Sequence, residues 1–426
     1  MAPYCYDLLA RRLSLLAVGK TQHVKLTPRR TVAAVRALLP LILIAVHPLP
    51  TRALAAGATS VVPYVTFLGE ADGHRTYAIH YFTTHSVESI LISGARSSDL
   101  ESIKNPEAVR RAKADDRAYF SKRGAELQLF RGKRAGTVDY KDTVNYRGTF
   151  HRHRIRVRIG STFAYLVYDG HGLEGPYDLR VASADTFRAV HLGHTRGDYV
   201  PDEGPLITYS GRQIEQVAAL HPELLLHSGD IFLSIYDWNA AYRETIEAFG
   251  TILPSTPLLI AASNHDQGWP ASEHGFPVTL SFFRYFLSYH YAESTLNYMV
   301  DHGGYRFLVV NYLDYQHRAE FLERTLRAWI TASPHPVVIV WGGSLHADRL
   351  TAFVREFPKV RLVLGGDGGG YRKERLSHGA YLIHNEELLI SLVFTPRAIV
   401  AEVRDDDGRV RDSETVSAIP SQTASD

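Results

Sequence analysis

Two short stretches, Leu226-His227-Ser228-Gly229-Asp230 and Ala262-Ser263-Asn264-His265-Asp266, hold the side chains best placed to do chemistry. Each follows an apolar run, 224–226 and 258–262, that reads as a buried strand. Each puts a carboxylate or a carboxamide where its strand ends. Ligands of open α/β sheets bind outside the carboxyl ends of the strands, so both stretches are expected at one crevice. Taken alone, Asp230 is equally what a helix N-cap or a turn would use. The run Gly365-Gly366-Asp367-Gly368-Gly369-Gly370 reads either as a flexible turn after a buried strand or as a nest of backbone N–H groups for phosphate. No Gly-x-Ser-x-Gly elbow, Walker loop or His-Glu-x-x-His segment occurs, which removes the commonest other hydrolase and nucleotide-binding readings.

The elements that must position these residues fall into two patterns. Over 62–184, β-rich runs recur at 61–68, 76–82, 89–93, 126–130, 150–159, 162–168 and 177–182, separated by turn signals, which is the pattern of an all-β sandwich. In Arg154-Ile155-Arg156-Val157-Arg158-Ile159 the alternation puts three arginines on a solvated strand face and three aliphatics inward. Residues 98–120 are polar and helix-compatible, an insertion between strands. From 187 the pattern changes. Strands are expected at 187–192, 224–226, 258–261, 305–311, 337–341 and 360–364, and helices at 210–220, 240–249, 316–330 and 347–357. This alternation calls for a layered α/β core over 187–412, closed by strands within 386–412, with 413–426 as a frayed tail.

Composition narrows the partners. Of 426 residues, 45% are hydrophobic and 22% charged, ordinary for a globular protein. Residues 1–56 read as an export leader: Arg29, Arg30 and Arg36 precede an apolar stretch over 37–46, and Ala53-Leu54-Ala55 offers a small-x-small cleavage pattern. That stretch is about half of the ~20 residues a membrane-spanning helix needs. Cleaved export, to a periplasmic or extracellular site, is the expectation; an uncleaved N-terminal anchor is the alternative. Without the eight basic residues and one acidic residue of 1–55, the chain has 39 basic and 44 acidic residues, near −5. No basic tract marks nucleic acid as a partner, and no membrane-surface signal stands out beyond the leader. The sole cysteine, Cys5, lies in the leader, so the mature chain has no disulfide and no thiolate metal site.

With Phe187-Arg188-Ala189-Val190-His191-Leu192-Gly193-His194-Thr195-Arg196-Gly197-Asp198 upstream, the order of motifs resembles the calcineurin-like metallophosphoesterases, especially the purple-acid-phosphatase branch. The resemblance spans most of 62–404. It implies an α/β layered core of β-sheets flanked by helices, preceded by a fibronectin-III-like β-sandwich. Such enzymes hold two metal ions that clamp phosphate and activate a water. By the same resemblance Asp230 is the bridging carboxylate and Asn264 the asparagine ligand. His265 is the histidine that assists phosphate or the leaving group, and Asp266 is placed to orient that imidazole.

Elsewhere the ligand pattern departs from the family. His194 stands where the first motif has an aspartate ligand, and Leu233 where purple acid phosphatases have a tyrosine, so no charge-transfer colour is expected. Gly342, in Val340-Trp341-Gly342-Gly343-Ser344, stands for an isolated histidine ligand. Against the Gly-His-x-His-x-Tyr signature, Asp367 and Gly369 replace the two histidines; an alternative alignment matches 365–370 to a later glycine-rich segment. His346 reads as a surface histidine. The resemblance therefore implies a site of Asp230, Asn264, His194 and Asp367 suited to at most one divalent ion. Two readings follow. One is an exported phosphoric ester hydrolase with a remodelled, weakened site. The other is a non-catalytic pseudoenzyme that binds a phosphate ester or other small anion, or serves recognition.

Overall fold

The computed structural model describes residues 62–83, 90–101, 103, 128–131, 133–139, 147–168, 172–181, 186–193, 199–200, 204–205, 211–230, 249–263, 266, 297–343, 347–366, 370–384 and 388–419. The expected leader, His194, Asn264, His265, His346 and Asp367 lie outside them.

The N-terminal strands are β1 (Tyr64–Ala71), β2 (His74–Thr83), β3 (Ile90–Gly94), β4 (Gln128–Arg131), β5 (Lys133–Asp139), β6 (Arg147–Arg158), β7 (Phe163–Tyr168) and β8 (Leu173–Leu179), with one helical turn, α1 (Ser97–Leu100). They form two antiparallel sheets, ordered β1-β2-β6-β5 and β4-β3-β7-β8. Alternation along β6 is as expected on the outer face, where Arg154, Arg156 and Arg158 are exposed. The inner row differs: His151, His153, Ile155 and Val157 are buried, while Ile159 falls in the turn after the strand. Tyr81 stacks on His151 and His153, with ring centroids 4.5 and 5.9 Å apart.

The remaining elements, in chain order, are β9 (Phe187–Leu192), β10 (Tyr199–Val200), β11 (Gly204–Pro205), α2 (Gly211–Leu220), β12 (Leu224–His227), β13 (Leu258–Ile260), β14 (Tyr298–His302), β15 (Tyr305–Val310), α3 (Tyr312–Thr331), β16 (Val337–Trp341), α4 (Ala347–Val354), β17 (Val360–Gly365), β18 (Arg372–Arg375), β19 (Tyr381–His384), β20 (Leu389–Phe394), β21 (Ala398–Arg404) and β22 (Val410–Ser417). Two mixed six-stranded sheets result, β13-β12-β9-β20-β21-β22 and β14-β15-β16-β17-β19-β18. Strands β12, β13, β16 and β17 are buried along their whole length, which is why β13 and β16 read as unbroken apolar runs and β12 and β17 are interrupted only by His227 and Arg361. On one face of the second sheet Leu322, Leu326 and Ile330 of α3 and Leu350, Phe353 and Val354 of α4 share a cluster with Leu308, Ile339 and Val363. Residues 413–417 are not part of a frayed tail. They continue β22, paired with β21 from Ala398↔Ser417 onwards, a polar edge strand whose alternation places only Val416 deep in the core.

The antiparallel sheets and the first core sheet share one apolar cluster, from Tyr64, Phe67 and Tyr81 through Val190, Leu225 and Leu259. The buried Arg75 of β2 reinforces this junction. It donates to Glu70 at 3.0 Å and to Glu223, just ahead of β12, at 2.9 Å. The Val65 N–H donates to the Leu253 carbonyl at 3.0 Å, and the Tyr165 hydroxyl to that of Pro254 at 2.6 Å. These contacts grip the segments that lead into β12 and β13, so the N-terminal sheets hold the ends of those strands opposite to Asp230.

Three buried histidines tie this packing to pH. Burial holds His153 and His227 down to about 3, with the neighbouring His151 adding to the effect at His153. Burial, and then the Arg75 charge, hold His302 well below its ordinary value. All three rings are neutral in the native state, whereas the unfolded chain protonates them as pH falls through ~6.5. Their contribution is complete above that value and is lost as pH drops towards their folded values. Each adds up to about 1.4 kcal/mol per pH unit to that slope. Melting temperature followed by circular dichroism should fall steadily from pH 7 to 5, and His153→Phe should flatten the slope. A melting temperature unchanged over that range would contradict neutral burial.

Candidate active site

In the first core sheet β9, β12 and β13 run parallel in register, Leu226 opposite both His191 and Leu259, so their carboxyl ends lie level. The chain leaves β12 through Ser228, whose N–H donates to the Leu192 carbonyl at 3.0 Å, and it leaves β13 through Ala261, whose N–H donates to the His227 carbonyl at 2.9 Å. It then turns sharply. Gly229 has φ +91° and Asp230 φ +51°. A Cβ on Gly229 would stand 2.5 Å from the Ser263 Cβ and 2.6 Å from the Ala261 carbonyl oxygen, so only glycine fits. Asp230 tolerates the left-handed region better than most residues.

Asp266 fixes that turn. One of its carboxylate oxygens, Oδ2, accepts the N–H of Asp230 at 2.8 Å and that of Ser263 at 3.0 Å, so one side chain ties the exit of β12 to the exit of β13. Asp230, Ser263 and Asp266 are fully buried. A carboxylate receiving two N–H bonds in a water-poor setting is among the stronger local restraints a protein can place on a loop. The sequence assigned Asp266 to the imidazole of His265; the clamp on two main-chain amides is a role it did not assign.

Histidines line the same strand ends. His227 Nδ1 accepts the Gly229 N–H at 3.1 Å, which requires the neutral ring that burial enforces. The buried His191 and Ser228 hydrogen-bond through Nε2 and Oγ. Neither partnership was expected from the sequence, where His191 and His227 look like ordinary strand residues.

The second core sheet meets the first at this point. The Gly342 N–H donates to the Val310 carbonyl at 3.1 Å, setting the exit of β16 beside that of β15. A Cβ on Gly342 would lie 2.3 Å from the Ala262 carbonyl oxygen and 3.1 Å from that of Ala261. At the exit of β17, a Cβ on Gly366 would lie 2.8 Å from the Ser228 Cβ and 3.2 Å from the Gly193 Cα. Five strand ends, those of β9, β12, β13, β16 and β17, thus converge.

Of the six residues singled out in the sequence, the structure brings Asp230 and Asp266 together. His194, Asn264, His265 and Asp367, outside the described residues, each follow or precede in the chain a residue at this junction: Gly193, Ser263, Asp266 and Gly366. Among the described residues no group of three or more His, Cys, Asp or Glu side chains could hold a metal ion. Asp230 supplies a carboxylate of the hard-oxygen type a divalent ion takes. A histidine at 342 does not fit the main chain around it.

The clamp can be tested through stability. Asp266→Ala leaves two buried N–H groups without their acceptor and should cost about 2–5 kcal/mol in urea unfolding, whereas Asp266→Asn, which keeps one acceptor oxygen, should cost less than half as much. A cost under about 0.5 kcal/mol for Asp266→Ala would show that the amides are held by something else.

No family model matches the sequence, and no curated protein matches it. Solved structures do. The structure of PhoD superposes with a TM-score of 0.54 at 9% identity, covering 85% of this chain and 90% of that one. A dimetal phosphatase from Danio rerio aligns over 55% of this chain and 99% of its own, at 13% identity and a TM-score of 0.40. The likeness to PhoD takes in the N-terminal sheets as well as the two-sheet core, and it is a likeness of fold. With its two mixed sheets meeting at their carboxyl strand ends, the chain has the calcineurin-like metallophosphoesterase fold.

Proposed function

We propose that the chain is an exported phosphoric ester hydrolase of the purple-acid-phosphatase-like branch, working through a remodelled site. The observation that carries this reading is the convergence of five strand ends on Asp230 and Asp266, with ligand-capable residues next to them in the chain. The resemblance of 62–184 to a fibronectin-III-like sandwich in placement and length, and the leader pattern of 1–56, fit such an exported enzyme.

In this reading Asp230 and Asn264 hold at most one divalent ion, with His194 and Asp367 completing the set. When bound, the ion supplies charge neutralisation at the phosphoryl oxygens. The protein's own residues do the rest. Asp266 keeps the Asp230 turn closed, so the carboxylate is presented without rearrangement. His265 steadies the phosphate or gives a proton to the leaving oxygen. The substrate is a phosphate ester small enough to reach the strand ends.

The second reading, a pseudoenzyme that binds a phosphate ester or other small anion, is favoured by one specific observation: the main chain packed against Gly342 where a ligand side chain would stand. Hydrolysis of a phosphomonoester and a phosphodiester by the full chain, alongside binding of inorganic phosphate, separates the two. The hydrolase reading predicts slow, divalent-dependent turnover that drops at least ~100-fold in both Asp230→Asn and His265→Ala. Phosphate binding without turnover would favour the pseudoenzyme. Turnover unaffected by Asp230→Asn would place the chemistry elsewhere and overturn both.

A further inference from the structure

We infer that main chain, rather than the mere absence of a side chain, closes the second-ion side of the crevice, so a two-ion centre cannot be regained by restoring the ligand at position 342. This rests on the metallophosphoesterase reading of the site, in which that position belongs to a histidine ligand.

The contacts at Gly342 differ in kind from an empty ligand position. An ideal Cβ there would meet the Ala262 carbonyl oxygen at 2.3 Å, the Ala262 carbonyl carbon at 2.9 Å and the Ala261 carbonyl oxygen at 3.1 Å. All three are backbone atoms, so no rotamer change can clear them. Nor can either backbone drift freely. Gly342 is tied to β15 through Val310, and Ala261 to β12 through His227. Admitting even a methyl group at 342 requires the exits of β13 and β16 to part by several tenths of an ångström, and an imidazole requires much more.

The neighbouring contacts share this character. Gly366 is pressed on Ser228 and Gly193, and Gly229 on Ser263 and Ala261. The runs of small residues at these strand ends, Ala261-Ala262-Ser263, Gly342-Gly343 and Gly365-Gly366, form the seam where the two sheets interlock. Ligand loss at 342 and close packing of the sheets are then one change. The Asp230 side keeps its carboxylate; the Gly342 side offers peptide oxygens already committed to packing.

Thermal melting and manganese stoichiometry of the full chain test this, using the wild type, Gly342→Ala and Gly342→His. Gly342→Ala should lower the melting temperature by about 3–10 °C through overpacking, although it removes no ligand. The wild type should bind no more than one Mn²⁺ per chain, and Gly342→His should either fail to fold or bind no additional ion. An unchanged melting temperature in Gly342→Ala, two ions bound by the wild type, or a folded Gly342→His with one ion more than the wild type would each overturn the inference. Failure of the phosphoester reading would show instead in the wild-type turnover and phosphate-binding assays, with the Gly342→Ala melting shift intact.

Discussion

The candidate site depends on one carboxylate oxygen. Asp266 Oδ2 takes the amide hydrogens of Asp230 and Ser263 and so closes two strand exits upon each other. Without that acceptor, two buried N–H groups would lose their partner where water does not reach them. The left-handed turn at Gly229 and Asp230 is affordable because this bond and the steric fit of Gly229 against Ser263 and Ala261 hold it from both sides. Asp230 is therefore presented by a rigid scaffold.

A cost accompanies this rigidity. The same interlocking of strand ends that fixes Asp230 brings Gly342 onto Ala262 and Gly366 onto Ser228, leaving no room for side chains at 342 and 366. Packing at a protein interior's density cannot coexist with a cavity for a second ion at the same place. The two sheets are therefore held close together at the strand ends around Asp230 and Asp266. At the far ends of β12 and β13, the Glu70–Arg75–Glu223 cluster and the Val65 and Tyr165 hydrogen bonds hold those strands against the N-terminal sheets, so the strands are restrained at both ends.

Much of this was legible in the sequence, for identifiable reasons. β16 is buried on both faces and reads as an unbroken apolar run, and β9 and β17 are apolar apart from Arg188, His191 and Arg361, so their positions followed directly. β14 was missed although its signal was present: Gly303-Gly304 makes a two-residue hairpin turn between β14 and β15, with φ of +57° and +77°. β5 and β22 are polar edge strands without strong alternation, and periodicity passes over such segments. Asp230 was readable because a carboxylate at the end of an apolar run is a local pattern. The Asp266 clamp was not, since it joins amides 36 and three residues away through space. The Gly342 seal had a faint signal, a pair of glycines at a strand end, but its meaning depends on which backbone lies opposite.

The most direct test of this account is native-state hydrogen exchange at the amides of Asp230 and Ser263. If Asp266 clamps both strand exits, these two amides exchange only with global unfolding, as slowly as those of β9 and β12, although both sit in turns. Exchange at the rate of an open surface loop would show that the two exits are not joined and that the site is not rigidly built.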